Sequence, residues 1–289
     1  MATETLTGGS TEGVSSGGTR IWLGQTRSFA ERYARELFRN KTVLFWSLLF
    51  PVGFYLLTIT VFVPTDQIPA DIKPMVFGAT AISYGTFGAV IACLNSFGGQ
   101  LAADFEADRY KQFRALPIRP TADLAGRMAA GLALAAAAFA VVVVVSLGTG
   151  AEYAIRGPES LAVLLLALLV FGVVWMVLAI ALVSVVTDER YASIITVAIA
   201  LLSYMLTGYN GTDPASYTGP DVLLNYLPNT LSTRLLVYHF VDVGADTLSP
   251  PALPGTGWSL AVLGLYGVAA LAAGVVLVRA VVYKRGVLA

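Results

Sequence analysis

Asp104–Pro120, DFEADRYKQFRALPIRP, is a charged block between two long apolar runs, and its reading decides how the rest of the chain is arranged. Four of its first six residues are acidic or basic, and Pro117 and Pro120 close it. Upstream, Met75–Ala103 holds no Asp, Glu, Lys or Arg; downstream, neither does Met128–Ala151. The whole chain of 289 residues is 56% hydrophobic and only 12% charged, against about a quarter charged in ordinary globular proteins. That balance belongs to an integral membrane protein, and it makes the block a loop between two spans.

Working outward, six segments are apolar for roughly the 20 helical residues that cross a hydrocarbon core of about 30 Å. They lie near Val43–Val63, Met75–Phe97, Met128–Leu147, Ser160–Val186, Tyr191–Gly208 and Trp258–Val278. All are free of charged residues, each of which would cost about 2.5–3.5 kcal/mol in mid-span. The runs are continuously apolar rather than alternating, which predicts helices and not a barrel. The fold class expected is an all-α integral membrane protein of six transmembrane helices.

Orientation follows from the basic residues. With the N-terminus in the cytosol, fifteen of the eighteen Lys and Arg fall inside: six before the first span, five around the second-to-third connection, Arg190, and Arg279, Lys284 and Arg285. Only Lys73, Arg156 and Arg234 fall outside. The positive-inside rule therefore places both termini in the cytosol of a multi-pass protein of the cell membrane, and the Asp104–Pro120 block with them.

The zero net charge conceals this asymmetry, and no nucleic-acid module is present. Cys93 is the only cysteine, which excludes an internal disulfide and a cysteine-based metal site. Residues 1–19 lack the apolar core of a signal peptide, and their Gly, Ser and Thr predict a disordered tail. Residues 20–42 space Phe29, Tyr33 and Leu37 four apart with basic residues elsewhere. That pattern predicts an amphipathic helix along the cytosolic interface, its aromatics among headgroups, with i,i+4 pairs Glu31–Arg35 and Arg32–Glu36. The remainder, 43–289, is the six-span domain, with a cytosolic loop over 98–127 and an outer segment over 209–257.

Within the loop, the stretch from Asp104 to Leu116 reads as a short helix after the Gly98–Gly99 pair, with Phe105, Tyr110, Phe113 and Leu116 as an apolar side. Pro117 is expected to end it and Pro120 to start the next helix. A helix held this way, with aromatics and both charges, suits docking to another protein.

The entry helix, the Phe50-Pro51 pair in the first span, Asp108-Arg109, and Ala115-Leu116-Pro117-Ile118-Arg119 together resemble the membrane subunit of type-2 ABC exporters. The six-span layout and the outer segment with Leu227-Pro228 and Arg234 add to the resemblance, which covers the chain from about Arg20 onward. Tyr110-Lys111-Gln112-Phe113 departs from the Gly-Thr pair common in that family. The resemblance implies that the loop carries a coupling helix seated in a separate ABC ATPase, with Phe105, Asp108, Arg109, Phe113, Leu116 and Pro117 as the ATPase-coupling residues. It further implies a path shared with a second membrane subunit, identical or homologous, in the lipid bilayer. No GxxxxGK[ST] loop occurs, so this chain needs no cofactor of its own and ATP and Mg belong to the partner ATPase.

Between Tyr209 and Gly257, four acids stand against Arg234 alone, and DVLLNYLPNTLSTRLLVYHFVD reads as two short helices that re-enter the outer leaflet, the second capped by Asn229 or Thr230. The resemblance implies that they help close the exit. Polar residues in the spans need a partner or water, and Tyr84, Asn95, Tyr204 and Asn210 are candidates to line a path or to bond helix to helix. Gly131 with Ala135 and Ala270 with Gly274 are small-xxx-small pairs for close helix approach, within one subunit or between two. His239, the only histidine, reads as a packed side chain rather than a ligand.

Two other classes compete. A self-contained secondary transporter or channel is disfavoured by spans with no charge to couple ions. An intramembrane lipid-modifying enzyme rests on Asp123-Leu-Ala-Gly-Arg127, which resembles the start of an alcohol-phosphatidyltransferase motif but lacks the later metal-binding aspartates. With neither HExxH nor GxSxG present, no catalytic or metal-ligating residue is assigned and the chain is expected not to be an enzyme.

Overall fold

The computed structural model describes residues 12–64, 67–186, 188–244 and 251–279. The first eleven residues of the expected tail, Asp246, and the C-terminal Lys284 and Arg285 lie outside them. In chain order the helices are α1 (Glu12–Arg39), α2 (Lys41–Phe62), α3 (Lys73–Glu106), α4 (Arg109–Arg114), α5 (Pro120–Leu147), α6 (Glu159–Val185), α7 (Glu189–Leu206), α8 (Pro228–Phe240) and α9 (Thr256–Leu277). The described residues contain no strand. Five helices, α2, α3, α5, α6 and α9, are long and apolar enough to cross a membrane; the apolar part of α7, Tyr191–Leu206, is shorter.

Local chemistry sets the ends. Pro74, Pro120 and Pro228 each sit in a first helical turn, where a missing N–H costs nothing. Asn40 breaks α1 from α2: its side-chain oxygen accepts the Thr42 and Val43 amides, both at 3.1 Å, and turns the chain from the entry helix into the first span. Inside α2, Phe45–Leu49 and Thr58–Phe62 are wound as π-helix. The first of these lies just before Pro51, which has no N–H to return to the preceding turn.

The central element is α3. Of its apolar window 83% is buried inside the protein, against 22% for both α2 and α9, so α3 is the post around which the others pack. Small residues set those approaches. A Cβ at Gly88 would lie 3.0 Å from Pro51 on α2, one at Gly131 would lie 2.7 Å from Met176 on α6, and one at Gly274 3.0 Å from Val177. The two small-xxx-small glycines therefore serve packing within this chain.

Five expectations change. Residues 12–19 continue α1 rather than forming a tail, because lengthening an existing helix is cheap even through Ser and Gly. The Gly98–Gly99 pair does not end the second span; α3 runs through it to Glu106. The break comes at Ala107 and Asp108, the latter left-handed at φ 52°, so the predicted 104–116 helix is divided and its second piece, α4, stops at Arg114 before reaching Pro117. In the outer segment there is one helix, α8, rather than two; Pro214–Ser216 and Asp221–Asn225 are single 3₁₀ turns. Pro228 opens α8, so Asn229 and Thr230 lie in its first turn instead of capping it.

Candidate coupling site at the charged end of the bundle

The entry helix does not rest its aromatics on lipid. Phe29, Tyr33 and Leu37 are buried against α3 and α5, and the contact is close because residue 126 is glycine: a Cβ there would lie 2.5 Å from Phe29 Cβ and 2.7 Å from the Thr26 carbonyl. Asp123 comes one turn before that approach, and Arg127 follows it directly.

Arg127 is 2% exposed and Asp104, at the end of α3, 1% exposed; their charged groups meet at 2.5 Å. Arg127 also donates to the Tyr33 hydroxyl at 2.5 Å and lies over the Tyr33 ring, and that hydroxyl donates to Asp123 at 2.6 Å. Asp104 Oδ1 accepts from Arg109, the first residue of α4, at 2.6 Å and faces Arg32 at 3.5 Å. Arg32 in turn binds Glu36 at 3.1 Å, whereas Glu31 pairs with Arg27 instead of the expected Arg35. One buried ionic knot thus fastens α1, α3, α4 and α5 together. Burying charge is costly unless it is paired and hydrogen-bonded, and here the pairing is dense.

The predicted coupling residues divide over this knot. Arg109 belongs to it. Phe105 and Phe113 turn inward, Phe113 meeting the Phe29 ring edge-on at 5.7 Å. Asp108, Leu116 and Pro117 are exposed, Leu116 at 54%. The exposed members of the predicted set therefore lie in the turns on either side of α4, and Gln112 of α4 is exposed with them. The loop is also pinned to α1, for Gln25 donates to the Pro117 carbonyl at 2.9 Å and Trp22 to Thr121 at 3.1 Å. Sequence reading missed Tyr33, Asp104, Asp123 and Arg127. The signal was the i,i+4 pair Asp123–Arg127 spanning a glycine.

The candidate path residues lie elsewhere. Tyr84, Tyr204 and Asn210 share one buried cluster at the far end of α3. Tyr84 bonds Thr58 at 2.6 Å and stands with its ring 5.3 Å from that of Tyr204; Asn210 donates to Thr86 at 3.1 Å and accepts from Asn229 at 3.1 Å. Asn95 is apart from them, accepting from Thr196 at 2.9 Å. All four make hydrogen bonds between separate elements of this chain, Tyr204 by accepting from Ser83 at 3.3 Å. Beside the cluster, Gly208, Tyr209, Asn210 and Gly211 all have positive φ, a left-handed turn that ends α7. Arg234 of α8 donates to the carbonyls of Gly211 and Pro251, and burial pulls its guanidinium down to about 10. His239 is buried between Ser160 and Thr256, 3.0 Å from each, and burial lowers its pKa. Among the described residues no group of His, Cys, Asp and Glu could hold a metal ion.

A model of the ABC-2 type transporter family matches residues 24–211, about two thirds of the chain, from the start of the buried face of α1 to the left-handed turn. The chain belongs to the ABC-2 type transporter family. No curated protein matches it closely enough to count as a relative. As an ABC-2 membrane permease, the chain is a multi-pass membrane component of an ABC transport system and belongs to a family without catalytic activity of its own. The match takes in the whole ionic knot and the loop that carries α4.

Proposed function

We propose that this permease is the membrane subunit of an ATP-driven exporter, that it builds a path with a second membrane subunit, and that a separate ATPase drives it through the loop 104–120. The observation that carries this reading is the contrast within the loop: Asp108, Leu116 and Pro117 are exposed, while Arg109 ties the same loop into a buried knot shared by α1, α3 and α5. A push on the exposed side is delivered to three helices at once, because a close-packed interior transmits displacement rather than absorbing it. The distribution of Lys and Arg supports placing this end, and both termini, in the cytosol. The left-handed turn after α7 would complete the sixth crossing. In this reading α8, whose residues are mostly buried against α3, α6 and α9, is a re-entrant element over the exit.

The test uses the exposed residue. Leu116→Asp alters the docking surface without removing a packed side chain. The native chain, solubilised from its own membranes, should bring down a subunit that photolabels with an azido-ATP analogue, and Leu116→Asp at the same membrane level should lose it. Equal capture by both forms would remove the loop from the coupling role. An absence of any labelled subunit with either form would favour a self-contained secondary transporter.

A further inference from the structure

A cavity of about 370 Å³ opens between α1, α2, α3 and α7 at the level where Asn40 turns the entry helix into the first span. That volume is within the roughly 300–1,000 Å³ of ligand pockets. Its wall includes Glu36, Asn40, Asn95, Gly99, Gln100 and Arg109.

Three features of that wall are unexplained by packing. Gly99 lies in the interior of α3, where glycine costs about 1 kcal/mol relative to alanine, yet a Cβ there would meet nothing within 4 Å. The glycine serves no close helix approach; it leaves room. The side-chain oxygen of Gln100 is buried and, among the described residues, accepts no hydrogen bond, while its amide donates to the Tyr33 carbonyl at 3.2 Å. An acceptor left in that state costs about 1–3 kcal/mol unless something fills it. Glu36 and Arg109 stand 3.7 Å apart, beyond hydrogen-bond length. Both ion pairs of Glu36 go to its Oε1, which leaves Oε2 for a donor, and the contacts of Arg109 with Asp104 and Glu36 use only NH1 of a guanidinium that carries five N–H groups.

We infer that this cavity binds the zwitterionic phosphoethanolamine head of a phospholipid in the adjacent leaflet, with the phosphate on Arg109 and the ammonium on Glu36 and Gln100. The polar rim offers one cation and one anion side by side, matching a head that carries both. Leu37, Val43 and Ala103 supply apolar wall toward the hydrocarbon for the glycerol end. A choline head has no N–H to give Gln100 and Glu36, and a glycerol head has no positive charge.

The test is lipid retention by the purified chain in detergent, read by native mass spectrometry against phosphatidylethanolamine, phosphatidylcholine and phosphatidylglycerol. Phosphatidylethanolamine should be held about tenfold more tightly than either competitor, the worth of one charge-assisted hydrogen bond. Gly99→Leu fills the cavity from a position with open space and should abolish the preference with the thermal stability unchanged or raised. Glu36→Gln, which breaks only part-exposed ion pairs, should reduce it toward that of phosphatidylcholine. No preference in the native chain, or an undiminished one in Gly99→Leu, would overturn the assignment. The measurement needs neither ATPase nor orientation, so its failure leaves the exporter reading standing and the reverse also holds.

Discussion

A methyl group added at residue 126 would fall 2.5 Å from Phe29 Cβ, so Gly126→Leu must push α1 off α5. We expect a melting temperature in detergent lowered by several degrees, the effect of overpacking by about 1–3 kcal/mol, whereas Gly99→Ala, with open space around it, should hold or raise it. Equal behaviour of the two would contradict the close approach. Arg127→Met leaves Asp104 and Asp123 buried without their shared cation, and breaking a buried pair from one side costs about 3–5 kcal/mol. A loss under about 1 kcal/mol, measured by denaturant unfolding, would mean the knot contributes little. These residues show what sequence can and cannot yield. Asp123-Leu-Ala-Gly-Arg127 was visible as a pattern, and in the fold its small residue and its charges take part in helix packing. Nothing local reveals that Tyr33 and Asp104, far away in sequence, complete the knot. His239 behaves the same way: its spacing names no partner, yet it is held between Ser160 and Thr256. Burial lowers its pKa by more than the nearby Glu159 raises it, with Arg156 adding to the lowering, so the folded protein takes up the proton at lower pH than the unfolded chain, which protonates near 6.5. Its contribution to stability is therefore complete above about pH 6.5 and is lost as pH falls below that toward its lowered folded value. Melting should decline from pH 7 to pH 5, and His239→Gln should flatten the decline; an identical pH profile would contradict it.

At the scale of elements, apolar length was enough to find all five helices long and apolar enough to cross a membrane, because a span has to satisfy its backbone internally and exclude charge. Boundaries were less legible. Gly98–Gly99 and Pro117 looked like the ends of a helix, but the buried attachment of Asp104 holds α3 helical through the glycines, and the chain breaks at Asp108 instead. Similarly α7 is cut short by four successive positive φ values that no propensity scale foretells, since Tyr209 and Asn210 stand there alongside two glycines. Each non-glycine residue in that conformation costs about 1–2 kcal/mol, which the bonds from Asn210 to Thr86 and Asn229 offset. At Gly208 a Cβ would also lie 2.3 Å from the Asp213 carbonyl. Gly208→Ala should therefore destabilise the outer assembly by more than about 2 kcal/mol, while Gly257→Ala, in open space, should not. Thermal scans in detergent distinguish them, and a tolerated Gly208→Ala would show that the turn can rewind as right-handed helix.

For the whole molecule, one end carries a dense buried ionic knot and an exposed loop, and the other a cluster of amides and hydroxyls around the left-handed turn, with α3 running between them. That polarity fits the proposed drive from one side to open on the other, and the ABC-2 family generally pairs with an ABC ATPase. The most direct test places a label at each end. Cys93 is the only cysteine and is fully buried, so introduced cysteines can be labelled selectively. An environment-sensitive dye on Leu116→Cys, in the permease reconstituted with the proposed partner ATPase, should be shielded on ATPase binding and change again on ATP. The same dye on Leu147→Cys, at the opposite end of α5, should not respond to ATPase binding. Shielding at residue 147, or none at residue 116, would contradict coupling through this loop.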